Sequence, residues 1–293
     1  MFDVFDGAKN AITAFSTSLK ITSSNIGNLG TTGFKRSVSS FQHVFERALR
    51  QGRPASPFEG IGGVNPIVIG GGSTLSNVGL DFTQGDLANG GVTDIAMTQG
   101  GGMFGVTADG AQTFEYTRAG NFRFDANGNM VTQTGFQVMG IPGRINADGS
   151  FTATGTSQAI SFGTRLDTTT LAWNDSQGVL HRFTRDANGN VAVNGAADAG
   201  LDTFQIAVAS VRNPSGLRQT SSTNFVVTAA SGPASALATP GGGVTAGRRN
   251  EQSNVQFISE TIKSLEDQRS INAMLAMFRL TSDIISSFTT RLS

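Results

Sequence analysis

The chain has 293 residues, room for one or two domains with a core of ordinary size; hydrophobic residues make up 38% and charged residues only 14%. Lysine plus arginine equals aspartate plus glutamate at 21 each, so the formal net charge is zero and the basic footprint of a nucleic-acid binder is missing. With no cysteine, disulfides, thiolate catalysis and cysteine-ligated metals are excluded. The 38 glycines suit short strands and frequent turns, and 21 phenylalanines are too much apolar mass for a disordered chain.

The spacing predicts a helix over residues 2–29. Phe5, Ile12, Leu19 and Ile26 recur every seven residues, and Ala8, Phe15, Thr22 and Leu29 fill the offset seam. Gly27, Gly30 and Gly33 end the pattern. Met1 to Asp6 lacks the basic and apolar regions of a cleavable signal, and no stretch reaches the roughly 20 apolar residues of a membrane span. The expectation is a chain that, if exported, leaves without a cleaved leader. Phe41, His43, Val44 and Phe45 read as a further helical segment, closing a first region at residue 45.

Residues 46–74 read as a connecting loop, punctuated by Arg50-Gln51-Gly52-Arg53-Pro54 and Gly70-Gly71-Gly72. Residues 75–249 read as β-rich. Phe114 to Arg118 and Asn121 to Phe124 alternate, Asp125-Ala126-Asn127-Gly128-Asn129 is a hairpin turn, and Met130-Val131-Thr132 resumes the strand. The same turn recurs at Asp186 to Asn190, and Phe204 to Val211 and Phe225 to Val227 are further strands. Beyond residue 250, Ser253-Asn254 offers an N-cap for a second long helix. Ile258, Ile262 and Leu265 form one apolar stripe, and Ile271, Leu275, Phe278, Ile285 and Leu292 another, with a register shift at Gln268-Arg269. Neither helix buries its stripe alone, so each needs the other and neighbouring copies. The fold class is therefore α+β: residues 1–45 and 250–293 form a helical, coiled-coil-like domain, and residues 75–249 a β-rich domain; their placement as inner and outer layers, respectively, comes only with the resemblance below.

Little here suggests chemistry. Calcium binding at Asp125 or Asp186 fails the EF-hand test, because the twelfth residues are Phe136 and Ala197 and glycine falls at position four. Gly100-Gly101-Gly102 lacks the lysine of a phosphate loop. No cofactor is expected, and the chain is not expected to be an enzyme. Two other readings compete with a structural role. One is a secreted β-rich adhesin or carbohydrate-binding module. The other is a hydrolase using His181 with Asp175 or Asp186.

The ordered motifs add a resemblance. Ser24-Asn25-Ile26-Gly27-Asn28-Leu29-Gly30-Thr31-Thr32-Gly33-Phe34-Lys35 is followed by Asp81-Phe82-Thr83-Gln84-Gly85-Asp86-Leu87. Then come Tyr116-Thr117-Arg118-Ala119-Gly120-Asn121-Phe122, Asn213-Pro214-Ser215-Gly216 and Gln252-Ser253-Asn254-Val255. In this order they resemble the bacterial flagellar basal-body rod and hook proteins. Gly100-Gly101-Gly102-Met103-Phe104 departs from the family's Gly-x-Gly-Phe-Phe, and Gly27 and Gly30 stand where alanines are common. The resemblance implies a subunit exported by the flagellar type III apparatus to the hook-basal body. It implies a hollow helical homopolymer in contact with other rod, hook or junction proteins. The residues it singles out are Gly33, Phe34, Lys35, Gln84, Gly85, Thr117, Arg118, Gly120, Phe122, Asn254 and Val255.

Overall fold

The computed structural model describes residues 2–44, 46–53, 62–70, 72–99, 101–110, 113–145, 151–162, 170–174, 178–185, 191–193, 203–240 and 244–292. Two terminal helices enclose a β-rich middle, and the chain divides into two compact units. The first comprises residues 1–27, 37–79 and 256–293; the second comprises 28–36 and 80–255.

In the first unit, α1 runs Phe2–Gly27 and α2 runs Phe257–Leu292, roughly 39 and 54 Å at about 1.5 Å per residue. They lie antiparallel: the Phe5 and Phe278 rings meet edge-on with centroids 4.6 Å apart, and Asn25 bonds Glu260 at 3.2 Å. Helix α1 stops two residues before the expected end, because the Thr31 amide folds back onto the Asn28 carbonyl and leaves Leu29 in the turn. Helix α2 starts later than Ser253-Asn254 suggests. Gln256 supplies the carbonyl that the Glu260 amide bonds, and Asn254 is occupied elsewhere.

Two stretches differ from expectation. Ser37–His43 is a strand, β1, not a helical segment: it pairs with β4 (Ser73–Leu80) and turns Ser39 inward. Pairing with β4 and the burial of Ser39 override the short apolar run that had suggested a helix. The supposed loop carries an antiparallel hairpin, β2 (Glu46–Arg50) with β3 (Ile67–Gly70), extended by a bridge between Arg53 and Val64. Its β-branched run Ile67-Val68-Ile69 suits a pleated strand better than a loop. Pro54 and Gly71 lie outside the described residues.

In the second unit, strands β5 (Leu87–Asn89) and β6 (Ile95–Met97) pair with the late strands Arg249–Glu251 and Thr245–Gly247. Next come β7 (Gly102–Thr107) and β8 (Glu115–Thr117) of the main sheet. Its spatial order is Thr170–Asn174, Val179–Arg185, Thr203–Ile206, Gln137–Ile145, β7, β8, Asn224–Val226, Arg218–Gln219, antiparallel throughout. The turn at Asp125 is a hairpin turn as the sequence predicts. Arg123–Phe124 pairs with Met130–Val131, and Gly128 takes the left-handed φ of 78° that the turn needs. The matching turn at Asp186 lies outside the described residues.

Strand β7 is buried on both faces, which explains its unbroken apolar run. Phe104 and Val106 enter a core with Ile95, Met97, Phe122, Met130 and Phe204, while Met103 enters a second with Tyr116, Val211 and Phe225. Phe104 is fully buried and packs edge-on against Phe122 at 5.5 Å. Replacing it by alanine removes about 3–5 kcal/mol of the unit's stability. Urea denaturation followed by far-UV circular dichroism is the check, and a loss under about 1 kcal/mol contradicts this placement.

Candidate functional site

Four segments far apart in sequence meet at one carboxylate in the second unit. Glu251 is fully buried at the end of its strand. Its Oε1 accepts Lys35 Nζ at 2.5 Å and the Gly85 amide at 3.0 Å, and its Oε2 accepts Arg118 Nη1 at 3.0 Å. Its backbone carbonyl accepts the Gly33 amide at 2.7 Å. Lys35 also donates to the Thr83 carbonyl at 2.7 Å. Asn254 closes the arrangement: its Oδ1 takes the Arg36 amide at 2.8 Å, and its Nδ2 donates to the carbonyls of Asp81 and Thr83.

The knot buries two cations against one anion. Arg118 Nε is itself buried without a hydrogen-bond partner among the described residues. Burial pushes the Lys35 ammonium below its ordinary value, and Glu251 offsets this only in part. Beside it, Arg36 Nε meets Asp81 at 2.9 Å. Burial raises the Asp81 carboxyl, but the amide and hydroxyl of Thr83 and Arg36 outweigh it and hold the group below the usual carboxylate range.

Close backbone approach explains the glycines of the motifs. Gly33 adopts φ 69°, and a Cβ there would fall 2.3 Å from the Ala119 amide nitrogen. A Cβ on Gly120 would fall 1.6 Å from the Ile95 carbonyl oxygen. No side chain fits either place.

The residues singled out in the sequence fall into two groups. Gly33, Lys35, Gly85, Arg118 and Asn254 converge on the knot, and buried Phe34 gives its carbonyl to the Asn254 amide. Gly120 and Phe122 carry this segment into the core. Gln84 donates to the Met97 carbonyl, Thr117 to the Thr223 carbonyl, and Val255 is buried. Glu251 was not singled out. The signal was available: Lys35 and Arg118, set among glycine and apolar neighbours, call for an acid.

The helix residues stay dispersed. Phe5, Ile12, Phe15, Leu19 and Ile26 are half-buried, with Phe15 against Phe41 at 5.2 Å, and Leu29 is exposed. The face that α1 buries is instead Ala8, Ala11, Ala14, Ser18, Thr22 and Asn25. On α2, Ile271 and Ile285 are half-buried, and Ile258, Ile262, Leu265, Leu275 and Phe278 are exposed. The Leu292 side chain lies outside the described residues. His181 is buried on a sheet strand opposite Trp173 and Thr203, while Asp175 and Asp186 lie outside the described residues. Asp125 spends its carboxylate on the amides of Asn127 and Asn129 in its own turn. No cluster of His, Cys, Asp and Glu among the described residues could hold a metal ion.

The geometry is that of a structural protein, with its buried charges spent on tying chain segments together. Residues 5–35 match the family described as flagella basal body rod protein, and residues 97–168 match the flagellar hook protein FlgE/F/G D1 domain. The chain is 28% identical over 290 residues to the flagellar basal-body rod protein FlgG of Bacillus subtilis (strain 168), covering 97% of this chain and 96% of the relative. It is 39% identical over 129 residues to the flagellar hook protein FlgE of Helicobacter mustelae, covering 43% of this chain and 28% of the relative. With the hook protein FlgE of Treponema pallidum (strain Nichols) it shares 37% identity over 125 residues, covering 42% and 26%. Its match thus spans about a quarter of these hook proteins and nearly all of the rod protein. By these matches the chain is similar to the flagellar rod and hook proteins, to the rod protein over nearly its whole length.

Two predictions follow from the charges. Glu251→Gln strands two buried cations and costs about 3–5 kcal/mol. Lys35→Met leaves a balanced Glu251–Arg118 pair and costs less than half as much; urea denaturation of both variants measures the difference. Asp81 favours the folded state above the ordinary carboxylate pKa, and this contribution is lost as pH falls through its lowered folded value. Asp81→Asn therefore lowers stability by about 1 kcal/mol at neutral pH. The gap from the unaltered chain closes in acid, as denaturation midpoints measured across pH will register.

Proposed function

We propose that this chain is a structural subunit of the flagellar axial tube that self-assembles into a hollow helical polymer and transmits motor torque. The reading gives the terminal helices to a coiled-coil-like inner layer and the β-rich unit to the outside. It assigns the chain no enzymatic role. One observation carries it: α2 is turned inside out for an isolated molecule. Its carboxylates Glu260 and Asp267 are buried, while Ile258, Ile262, Leu265, Leu280, Ile284 and Phe288 are each between 41% and 73% exposed. Ile258, Ile262 and Leu265, and again Leu280, Ile284 and Phe288, recur at spacings of three and four, so they form an apolar patch toward each end of α2. Exposed apolar patches of this kind call for a cover, and head-to-tail copies that do not close into a ring supply one without limit. Near-complete coverage of the rod relative, against about a quarter of the hook relatives, favours rod over hook.

Ile262→Asp tests the reading, because Ile262 is 52% exposed. The change should leave the unfolding free energy within about 0.5 kcal/mol. It should abolish sedimentable polymer in electron micrographs and motility in the cell, as should deletion of residues 255–293. Normal polymers from either variant contradict a tube built through α2. Binding of a glycan by the unpolymerised chain would favour the adhesin reading instead.

A further inference from the structure

The helix pair of the first unit carries a polar layer where a seam is ordinarily apolar. Ser18, Thr22 and Asn25 on α1 and Glu260 and Asp267 on α2 are each no more than 5% exposed. Strand β1 links them. Asn25 pairs with the backbone of Ser37 in both directions, donating to its carbonyl at 2.9 Å and accepting its amide at 3.0 Å. The same Nδ2 reaches Glu260 Oε2 at 3.2 Å. One step along the strand, Ser39 Oγ bonds Ser18 Oγ at 3.0 Å and accepts Lys263 Nζ at 2.9 Å. Toward the chain ends the seam turns apolar, with Ala8, Ala11 and Ala14 on α1 and the Phe5–Phe278 contact.

We infer that this layer is the specificity determinant of the helix pair: it selects one antiparallel register of α2 against α1. The layer is poorly suited to adding stability, since Thr22 Oγ1 and Asp267 Oδ2 are buried without hydrogen-bond partners among the described residues. An apolar layer of similar volume would hold the helices at least as well, whereas a polar one discriminates between partners. Sliding α2 by one heptad parts Asn25 from Glu260 and Ser39 from Lys263: the shorter Asp267 and Ser270 take their places in one direction, and Ser253 and Gln256, ahead of the helix, in the other. Small alanines at the other end of the seam impose no such choice. The inference does not rest on the tube reading, and the test below is made on unpolymerised protein, so the two readings fail separately.

The absence of native cysteine allows a direct test in the full-length chain. Cysteines are placed in pairs at the apolar end, roughly 30 Å along α1 from the layer. Phe5→Cys with Phe278→Cys reports the native register, and Phe5→Cys with Ile271→Cys or with Ile285→Cys reports slips of one heptad. In the otherwise unaltered chain, intrachain cross-linking of the native pair should exceed each slipped pair at least about tenfold. With Asn25→Leu and Glu260→Leu together, helicity by circular dichroism should persist while the preference falls below about threefold. Glu260→Gln, which keeps a hydrogen-bond acceptor for Asn25, should retain the native preference. A preserved tenfold preference in the double-leucine variant overturns the inference. So does lost helicity in that variant, lost preference in Glu260→Gln, or no preference in the unaltered background.

Discussion

The acceptance of Lys35, Gly85 and Arg118 by the single carboxylate of Glu251 is the constraint from which the second unit is organised. A buried carboxylate is tolerable only with full compensation, and this one draws it from three places in the chain. The consequence is topological. The segment that leads back to α1 and the segment that leads on to α2 are bonded to each other, Gly33 to Glu251 and Phe34 to Asn254, although more than two hundred residues separate them in sequence. Residues 80–250 of this unit thus run between segments that are bonded to each other.

The first unit follows an opposite logic. Its helices bury small and polar side chains, Ala8, Ala11, Ala14, Ser18, Thr22 and Asn25 on α1 and Glu260 and Asp267 on α2, and leave Ile258, Ile262, Leu280 and Phe288 exposed. In the second unit the ordinary rule holds, with phenylalanines and methionines inside. The two units thus bury opposite kinds of side chain, and the exposed apolar residues of α2 are what the proposed polymer would cover.

Much of this was legible in the sequence, and the parts that were not share a cause. The heptads gave α1 and α2 as helices, but periodicity does not say which stripe is buried. Ser39 on β1 and the carboxylates of α2 decide that, and the buried face of α1 became Ala8, Ala11, Ser18, Thr22 and Asn25 in place of the phenylalanine and isoleucine stripe. The Asp125 turn was read correctly because its geometry is local, whereas β1 and the β2–β3 hairpin were missed because their pairing is not. The motif residues Lys35, Arg118 and Asn254 stood out one by one. Their shared partner Glu251 did not, since nothing in a linear pattern joins positions 35, 118 and 251.

Native-state hydrogen exchange at the amides of Gly33, Arg36 and Gly85 tests the central claim most directly, because each of these amides bonds to Glu251 or Asn254. If the knot fixes both ends of the β unit, the three exchange only through its global unfolding, with the same free energy and denaturant dependence as amides of β7. Exchange by local fraying, orders of magnitude faster than β7 and insensitive to denaturant, would show that the ends open independently and that the knot does not hold them.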